Sequence, residues 1–222
     1  MKYIQVENLL GKTYHSRLFD LVSGMNGFPW YFLSKDVAYQ PSDEFNFGDI
    51  NLLDMEEREK SVGFTHLLID NHGIESPFLP HFTAFLDAVK DAMPAPIQFT
   101  RVRLALQLNN GNGGHHNGVH TDSEKDHYAA IYYFHDSSGD TVFFNEYDDP
   151  TDGTVDDRWF RARTQEYTEC RRVTPKANTL FAFDGHQFHS SSNPHTNPFR
   201  VICNLNFTSD YDLFAADTSP RN

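Results

Sequence analysis

The sequence has little cysteine, few basic residues for its length and no long apolar run. Only two cysteines occur among 222 residues, and neither belongs to a Cys-x-x-Cys pair. This excludes a disulfide scaffold and predicts a reducing, cytoplasmic setting. No apolar run approaches the roughly 18 residues of a membrane span, and the first residues lack the basic-then-apolar pattern of a signal peptide. Neither a membrane anchor nor secretion is therefore expected.

Negative charge dominates the composition. The chain has 18 Lys and Arg against 31 Asp and Glu, which gives a net charge of −13. Broad binding to nucleic acids or to anionic membranes depends on basic residues that neutralise phosphate groups. The charge therefore argues against both partners, although it does not exclude a local basic groove. The oligomeric state does not follow from the sequence.

Aromatic and strand-forming residues are abundant. Aromatic residues make up 14% of the chain, with 20 Phe, which is enough to fill the core of a single domain over residues 1–222. Residues 1–95 show a mixed pattern and are predicted to form an α/β support region. Residues 97–208 contain many strand-like runs separated by Gly- and Asn-rich turns. This pattern predicts a mostly β fold whose core is a double-sheet jelly roll (a double-stranded β-helix) or a barrel.

Hydrophobic periodicity sets the predicted element boundaries. Strands are predicted at 30–33, 63–69, 99–108, 128–134, 140–144, 179–183 and 199–207, and helices at 16–23 and 79–92. Residues 148–157 are strongly acidic, but a calcium loop starting at Asp148 would have Pro150 at position three and Trp159 at position twelve. Neither residue supplies a side-chain oxygen, so a solvated loop is predicted there.

The chemistry begins with His120 and Asp122, which follow a glycine-rich turn. Residues two apart on a strand point to the same face. A second histidine from a distant strand would complete a set of two imidazoles and one carboxylate, which is typical of non-haem Fe(II) sites. A His-x-Asp pair alone is weak, because it occurs by chance in many chains.

Three histidines compete for the third position. His186, His189 and His195 lie 14, 11 and 5 residues before Arg200. Arg200 stands on a strand with the apolar residues Val201, Ile202 and Leu205, and a charge that points inward from such a strand needs a partner. A planar guanidinium suits bidentate binding of a carboxylate.

Residues 99–207 together resemble the 2-oxoglutarate/Fe(II)-dependent dioxygenases, in particular the prolyl-4-hydroxylase-like branch. The resemblance is carried by His120-Thr121-Asp122, by Ile131-Tyr132-Tyr133, by Gly139-Asp140-Thr141-Val142-Phe143-Phe144, by Pro175-Lys176-Ala177-Asn178-Thr179-Leu180 leading to Phe183-Asp184-Gly185, and by His189 with Arg200. The first 95 residues match no family by their motifs.

The resemblance implies that His120, Asp122 and His189 bind Fe(II), with 2-oxoglutarate and O2 as co-substrates. It favours His189 over His186 and His195 as the third ligand. It also implies that Arg200 pairs with the distal carboxylate of 2-oxoglutarate and that the phenol of Tyr133 reaches the same group.

Further candidates follow from strand alternation. Asn204 shares a strand face with Arg200 and is expected to bind the co-substrate or to lie beside it. Gln107 and Arg103 share a face of the preceding long strand and are candidate pocket contacts. His115 and His116 precede the His-x-Asp pair and have no assigned role.

The function that the resemblance implies is hydroxylation of a C–H bond with formation of succinate and CO2. The branch favours a peptidyl side chain such as proline, and a free amino acid or other small metabolite is the alternative. A nucleic-acid demethylase is disfavoured, because no second arginine closely follows Arg200. A non-catalytic metal-binding jelly roll and a zinc hydrolase use the same ligands but leave Arg200 and Tyr133 without a role.

Overall fold

The computed structural model describes residues 1–24, 27–33, 63–69, 72, 75–109, 115–149, 151–154, 158, 161 and 164–215. The strands are β1 (Tyr3–Glu7), β2 (Tyr31–Leu33), β3 (Gly63–Ile69), β4 (Gln98–Leu108), β5 (Tyr128–Tyr133), β6 (Thr141–Tyr147), β7 (Glu169–Val173), β8 (Thr179–Asp184), β9 (Gln187–Ser191) and β10 (Phe199–Thr208). The α-helices are α1 (Lys12–Val22) and α2 (Thr83–Asp91), and a 3-10 turn at Leu79–Phe82 leads into α2.

The strands form two antiparallel sheets, as expected for a mostly β fold with a jelly-roll core. The larger sheet has the order β1-β8-β5-β10-β4-β3-β2, and the smaller sheet has the order β7-β6-β9. Strands β1, β2 and β3 come from the N-terminal region and add to both edges of the larger sheet. The N-terminal region and the jelly-roll core therefore share one sheet.

Each face of the larger sheet packs against a different partner. On the outer face, α1 and α2 contribute Leu18 and Phe85 to a cluster with Leu104 of β4 and Cys203 of β10. Such burial of apolar side chains is the main stabilising term. The inner face packs against the smaller sheet, where Phe143 of β6 meets the aromatic and aliphatic side chains of β4, β5, β8 and β10.

Several predicted boundaries shift. The first helix begins at Lys12 rather than at residue 16, and the second element starts as a 3-10 turn that contains Pro80. Three strands were not predicted: β1, β7 and β9. Part of the acidic segment 148–157 lies outside the described residues; within the rest, the Asp148 carboxylate forms an ion pair with Arg158. Neither α-helix in the described ranges is long and apolar enough to cross a bilayer.

Candidate metal centre and adjoining anion site

The three side chains of the predicted metal site lie together on the inner face. His120 forms an antiparallel bridge with His189 of β9, in which each backbone N–H donates to the other's carbonyl at 3.0 Å. Asp122 follows two residues later. One ligand atom from each of the three residues lies within 4.8 Å of the others. The Asp122 carboxylate oxygens are 3.6 Å from His189 Nε2 and 4.0 Å from His120 Nε2.

Backbone carbonyls orient both imidazoles. His120 Nδ1 lies 3.0 Å from the Gly118 carbonyl, and His189 Nδ1 lies 3.0 Å from the Gln187 carbonyl. A carbonyl can only accept, so each Nδ1 carries the proton and each Nε2 presents a lone pair toward the carboxylate. His189 Nε2 is buried and has no hydrogen-bond partner in the described part of the chain. A buried nitrogen lone pair of this kind fits a metal ion.

Asp122 is held at both carboxylate oxygens. Arg101 Nη2 donates to Oδ1 at 2.9 Å, and Asn204 Nδ2 donates to Oδ2 at 2.9 Å. Burial opposes ionisation of Asp122, but the charged Arg101 guanidinium that donates to it helps to hold the pKa of this carboxyl well below its usual range. Burial, together with His189, lowers the pKa of His120 to about 4. At neutral pH the site thus offers an ionised carboxylate and a neutral His120 imidazole, the forms that bind metal.

The competing histidines lie elsewhere. His186 Nε2 is 2.8 Å from the Asp126 carboxylate, and His195 is exposed on the loop before β10. His115 is also exposed, whereas the His116 ring packs edge-on against Phe144 at 5.2 Å. Of the three candidates for the third ligand, His186, His189 and His195, the structure therefore brings only His189 to His120 and Asp122.

Arg200 lies on the same inner face and is 1% exposed. Its Nη1 donates to Gln107 Oε1 at 2.6 Å, and its Nη2 donates to Thr141 Oγ1 at 2.8 Å. The Tyr133 hydroxyl lies 2.8 Å from the same Thr141 oxygen. Arg200 Nε has no acceptor, and no carboxylate forms an ion pair with the guanidinium, among the residues that the structure describes. A buried cation whose only partners are neutral is costly unless a ligand supplies the anion.

A cavity that opens to solvent joins these two groups. His120 and His189 line one end, and Arg200 and Thr141 line the other. The other lining residues include Arg103, Gln107, Ser191 and Asn204.

Asn204 and Tyr133, which the sequence predicts as co-substrate contacts, differ in how they meet this cavity. Asn204 lines it but directs its amide nitrogen to Asp122, so it supports the metal end. Tyr133 is fully buried, and its hydroxyl meets the site through Thr141.

No family model and no curated protein matches the sequence. Solved structures, however, match over nearly the whole chain. The epimerase SnoN from nogalamycin biosynthesis, described as non-haem and α-ketoglutarate-dependent, is 10% identical, with 100% of this chain and 88% of that chain covered and a TM-score of 0.59. A 2OG-Fe(II) oxygenase family oxidoreductase from Burkholderia pseudomallei is 8% identical, with 93% and 85% covered and a TM-score of 0.58.

This chain has the fold of the 2-oxoglutarate/Fe(II) oxygenases. A prolyl hydroxylase from Trichoplax adhaerens, solved with a peptide fragment of hypoxia-inducible factor, also shares it, at 10% identity, 93% and 83% coverage and a TM-score of 0.53. The resemblance predicted from residues 99–207 is thus confirmed as a likeness of fold. In the structural comparison it also extends into the N-terminal region.

The sequence alone assigned no role to three residues of this site, which are Arg101, Thr141 and Ser191. Arg101 pairs with Asp122, and Thr141 and Ser191 line the cavity. A partial signal exists for Arg101, because it stands two residues before Arg103 and four before Ala105, on the face that alternation turns inward. No comparable signal marks Thr141 or Ser191, whose positions depend on how β6 and β9 pair.

Proposed function

We propose that this chain is an Fe(II)- and 2-oxoglutarate-dependent dioxygenase that hydroxylates a C–H bond with formation of succinate and CO2. The observation that carries the proposal is one cavity that has, at each end, a buried polar group without the partner it would need. One end has a buried histidine nitrogen without a hydrogen-bond partner, and the other has a buried arginine without a carboxylate, within the described residues. Iron would bind the histidine nitrogen, and a dicarboxylate would pair with the arginine.

The donor set fits Fe(II). His120, Asp122 and His189 supply two imidazoles and one carboxylate from one side, which leaves the opposite positions open. The iron would supply the redox chemistry that couples decarboxylation of a 2-oxo acid to attack on a C–H bond. Arg101 and Asn204 hold the carboxylate in place, and groups in this outer layer tune metal affinity.

The other end fits the distal carboxylate of 2-oxoglutarate. Arg200 supplies a permanent positive charge and a rigid fork of donors, while Gln107 and Thr141 fix the plane of the guanidinium. The rings of Phe143 and Phe183 pack around the His189 imidazole, at centroid distances of 6.1 and 4.9 Å. These buried rings give the His189 imidazole an apolar surrounding on that side.

For the organic substrate we infer a peptidyl side chain, with proline first, and keep a free amino acid or small metabolite as the alternative. The fold is shared with a prolyl hydroxylase solved with a peptide and with SnoN, which was solved with nogalamycin RO. We also infer one domain over residues 1–222, with residues 1–95 supporting the core at 97–208. Strands β1 and β3 of residues 1–95 lie in the same sheet as β4 of the core, which supports a single domain in which the first region braces the second.

Anaerobic spectroscopy tests the oxygenase proposal directly. Adding Fe(II) and 2-oxoglutarate to the purified protein should give a visible charge-transfer band, and admitting O2 should yield succinate. The His189→Ala variant should lose both signals, whereas the His186→Ala variant should keep both. A folded wild-type protein that gives no band would overturn the oxygenase proposal, and loss in His186→Ala alone would overturn the choice of ligand.

A second experiment separates the substrate classes. Succinate release is measured with proline-containing peptides, with free amino acids and with no added substrate. A peptidyl prolyl hydroxylase should couple succinate formation to a mass gain of one oxygen on the peptide. Coupled oxidation of free amino acids, with none on the peptides, would contradict the peptidyl assignment and leave the oxygenase proposal intact.

A further inference from the structure

Arg103 places a second cation in the wall of the cavity, close to the candidate metal ligands. It is buried on β4 and lines the cavity together with His120. Directly opposite it on β10 stands Asn204, whose amide donates to the Asp122 carboxylate. Arg103 therefore belongs to the metal end of the cavity.

Arg103 is distinct from the arginine of the anion site. Arg200 stands opposite Gln107, which lies four residues after Arg103 on β4. Four residues correspond to about 13 Å along a strand. Gln107 and Thr141 accept the hydrogen bonds of Arg200 at that end. Arg103 therefore lies outside the group of residues that holds Arg200 in place.

The permanent charges in the described part of the cavity wall are positive. The wall includes Arg103 and Arg200, and no Asp or Glu lines it among the described residues. The chain as a whole carries a net charge of −13, so this local excess of positive charge runs against the composition. A cleft lined by one sign of charge concentrates ligands of the opposite sign.

The sheet beside Arg103 has an apolar and partly open surface. Leu67 of β3 stands directly opposite Arg103, so both side chains point to the inner face. The apolar cluster between the two sheets has members from β4, β5, β8 and β10 but, within the described ranges, none from β3. Leu67 accordingly remains 37% exposed. A molecule that reaches the metal end from the β3 side would meet an apolar side chain next to a cation.

We infer that the organic substrate carries a carboxylate that Arg103 binds and an apolar part that lies against Leu67. This inference rests on the proposed function and narrows its substrate class. A guanidinium can bind a carboxylate through two parallel hydrogen bonds, so the contact would also orient the substrate at the metal end. Two sources supply such a carboxylate: a free amino acid or other small acid, and an acidic residue next to the oxidised residue of a peptide.

Paramagnetic NMR measures this contact without turnover. Mn(II) broadens the proton signals of ligands that bind near it, so each probe is titrated into the protein loaded with Mn(II) and 2-oxoglutarate in the absence of O2. The small probes are the free L-amino acids, each paired with its own amide, and the peptide probes are acetyl-Pro-Glu-amide and acetyl-Pro-Gln-amide. In at least one pair the carboxylate member should bind about tenfold to a hundredfold more tightly, the range for hydrogen bonds to a charged group.

Substitutions on the two facing strands locate the preference. Arg103→Gln should abolish it, and Arg103→Lys should recover part of it through the charge. Leu67→Glu places a carboxylate opposite Arg103 and should block binding of the acidic probes, whereas the neutral Leu67→Gln should keep the preference. Arg172→Gln, at a partly exposed ion pair with Glu169 outside the cavity wall, is the matched control. The Kd for 2-oxoglutarate should stay close to that of the wild type in all five variants, which also checks their fold.

The outcomes separate the two proposals. Equal binding of acid and amide in every pair, no binding of any acidic probe, or a preference that survives in Arg103→Gln would each overturn the inference about Arg103. A preference limited to the amino acids would assign the carboxylate to a small molecule, and one limited to the peptides would assign it to an acidic peptide. Failure of the wild-type protein to bind 2-oxoglutarate would instead refute the proposed function.

Discussion

The two ends of the cavity differ in how their buried charges are balanced. At the metal end, the Asp122 carboxylate receives hydrogen bonds from Arg101 and Asn204 on its two oxygens. At the other end, the Arg200 guanidinium donates to the neutral groups of Gln107 and Thr141 and lies over the Tyr133 ring, and it forms no ion pair with a carboxylate among the described residues. Burying a charge without a counter-charge costs several kcal/mol. The contrast shows that the protein's own side chains hold the carboxylate, and it supports the proposal that Arg200 binds an external anion.

Both ends are built on the same two strands. Arg101 of β4 and Asn204 of β10 face the metal ligands, while Gln107 and Arg200 of the same strands face the anion site. Four residues along a strand separate Arg200 from Asn204, which corresponds to about 13 Å. The rigid β4–β10 pair therefore sets the distance between the two ends, and substitutions at one end should leave the other largely intact.

Removing a metal ligand should have the largest effect. Asp122→Ala deletes the carboxylate of the candidate triad and leaves the partly buried Arg101 without this ion-pair partner, so metal binding should be abolished. Metal content after dialysis and the anaerobic 2-oxoglutarate band measure this loss. Asp87→Ala, at an exposed ion pair with Lys90, is the control and should keep full metal content. Stoichiometric iron in Asp122→Ala would show that the metal lies elsewhere.

Replacing the buried Arg200 should have the second largest effect. Arg200→Leu removes the positive charge at the anion site, so affinity for 2-oxoglutarate should fall by at least about a hundredfold, as for truncation of buried charge pairs. Metal affinity should change little, because Arg200 contacts no metal ligand among the described residues. Arg200→Lys should recover part of the affinity through its charge. Equal losses of metal and 2-oxoglutarate binding would mean that the two ends are not separable.

Arg101→Leu tests the end of the cavity that holds the candidate metal ligands. It removes the guanidinium that donates to Asp122, and loss of such outer-layer partners typically lowers metal affinity by about 10- to 100-fold. At saturating metal, the Kd for 2-oxoglutarate should be close to that of the wild type. A Kd for 2-oxoglutarate that rises while metal affinity stays constant would contradict this division of roles.

Thr141→Val should have the smallest effect. This nearly isosteric change removes the hydroxyl that accepts from Arg200 and contacts Tyr133, so the Kd for 2-oxoglutarate should rise by about three- to tenfold. Calorimetry on the Mn(II)-loaded protein measures the change. Thr179→Val, at a buried threonine of β8 that does not line the cavity, is the matched control. An effect as large as that of Arg200→Leu would indicate that Thr141 itself is the main anion contact.

The elements that hydrophobic periodicity predicted are those with strong apolar patterns. Strands β4, β5, β8 and β10 combine alternation or continuous burial with turn residues at their ends, and each was predicted within two residues of its bounds. Strand β9 has the sequence Gln-Phe-His-Ser-Ser, and β7 contains two arginines. Such polar segments become strands because a neighbouring strand pairs with their backbone, which local propensity does not report.

The residue types and their alternation were enough to predict which chemistry the site could support. They pointed to a His-x-Asp pair, an inward arginine on an apolar strand and a β-rich core. Only the folded chain brought His189 to His120, 69 residues away in sequence, because that approach depends on the backbone ladder between β9 and the segment before β5. The same folding paired Asp122 with Arg101 and left Arg200 with neutral partners. Charge balance of this kind depends on distances between strands, which sequence separation does not encode.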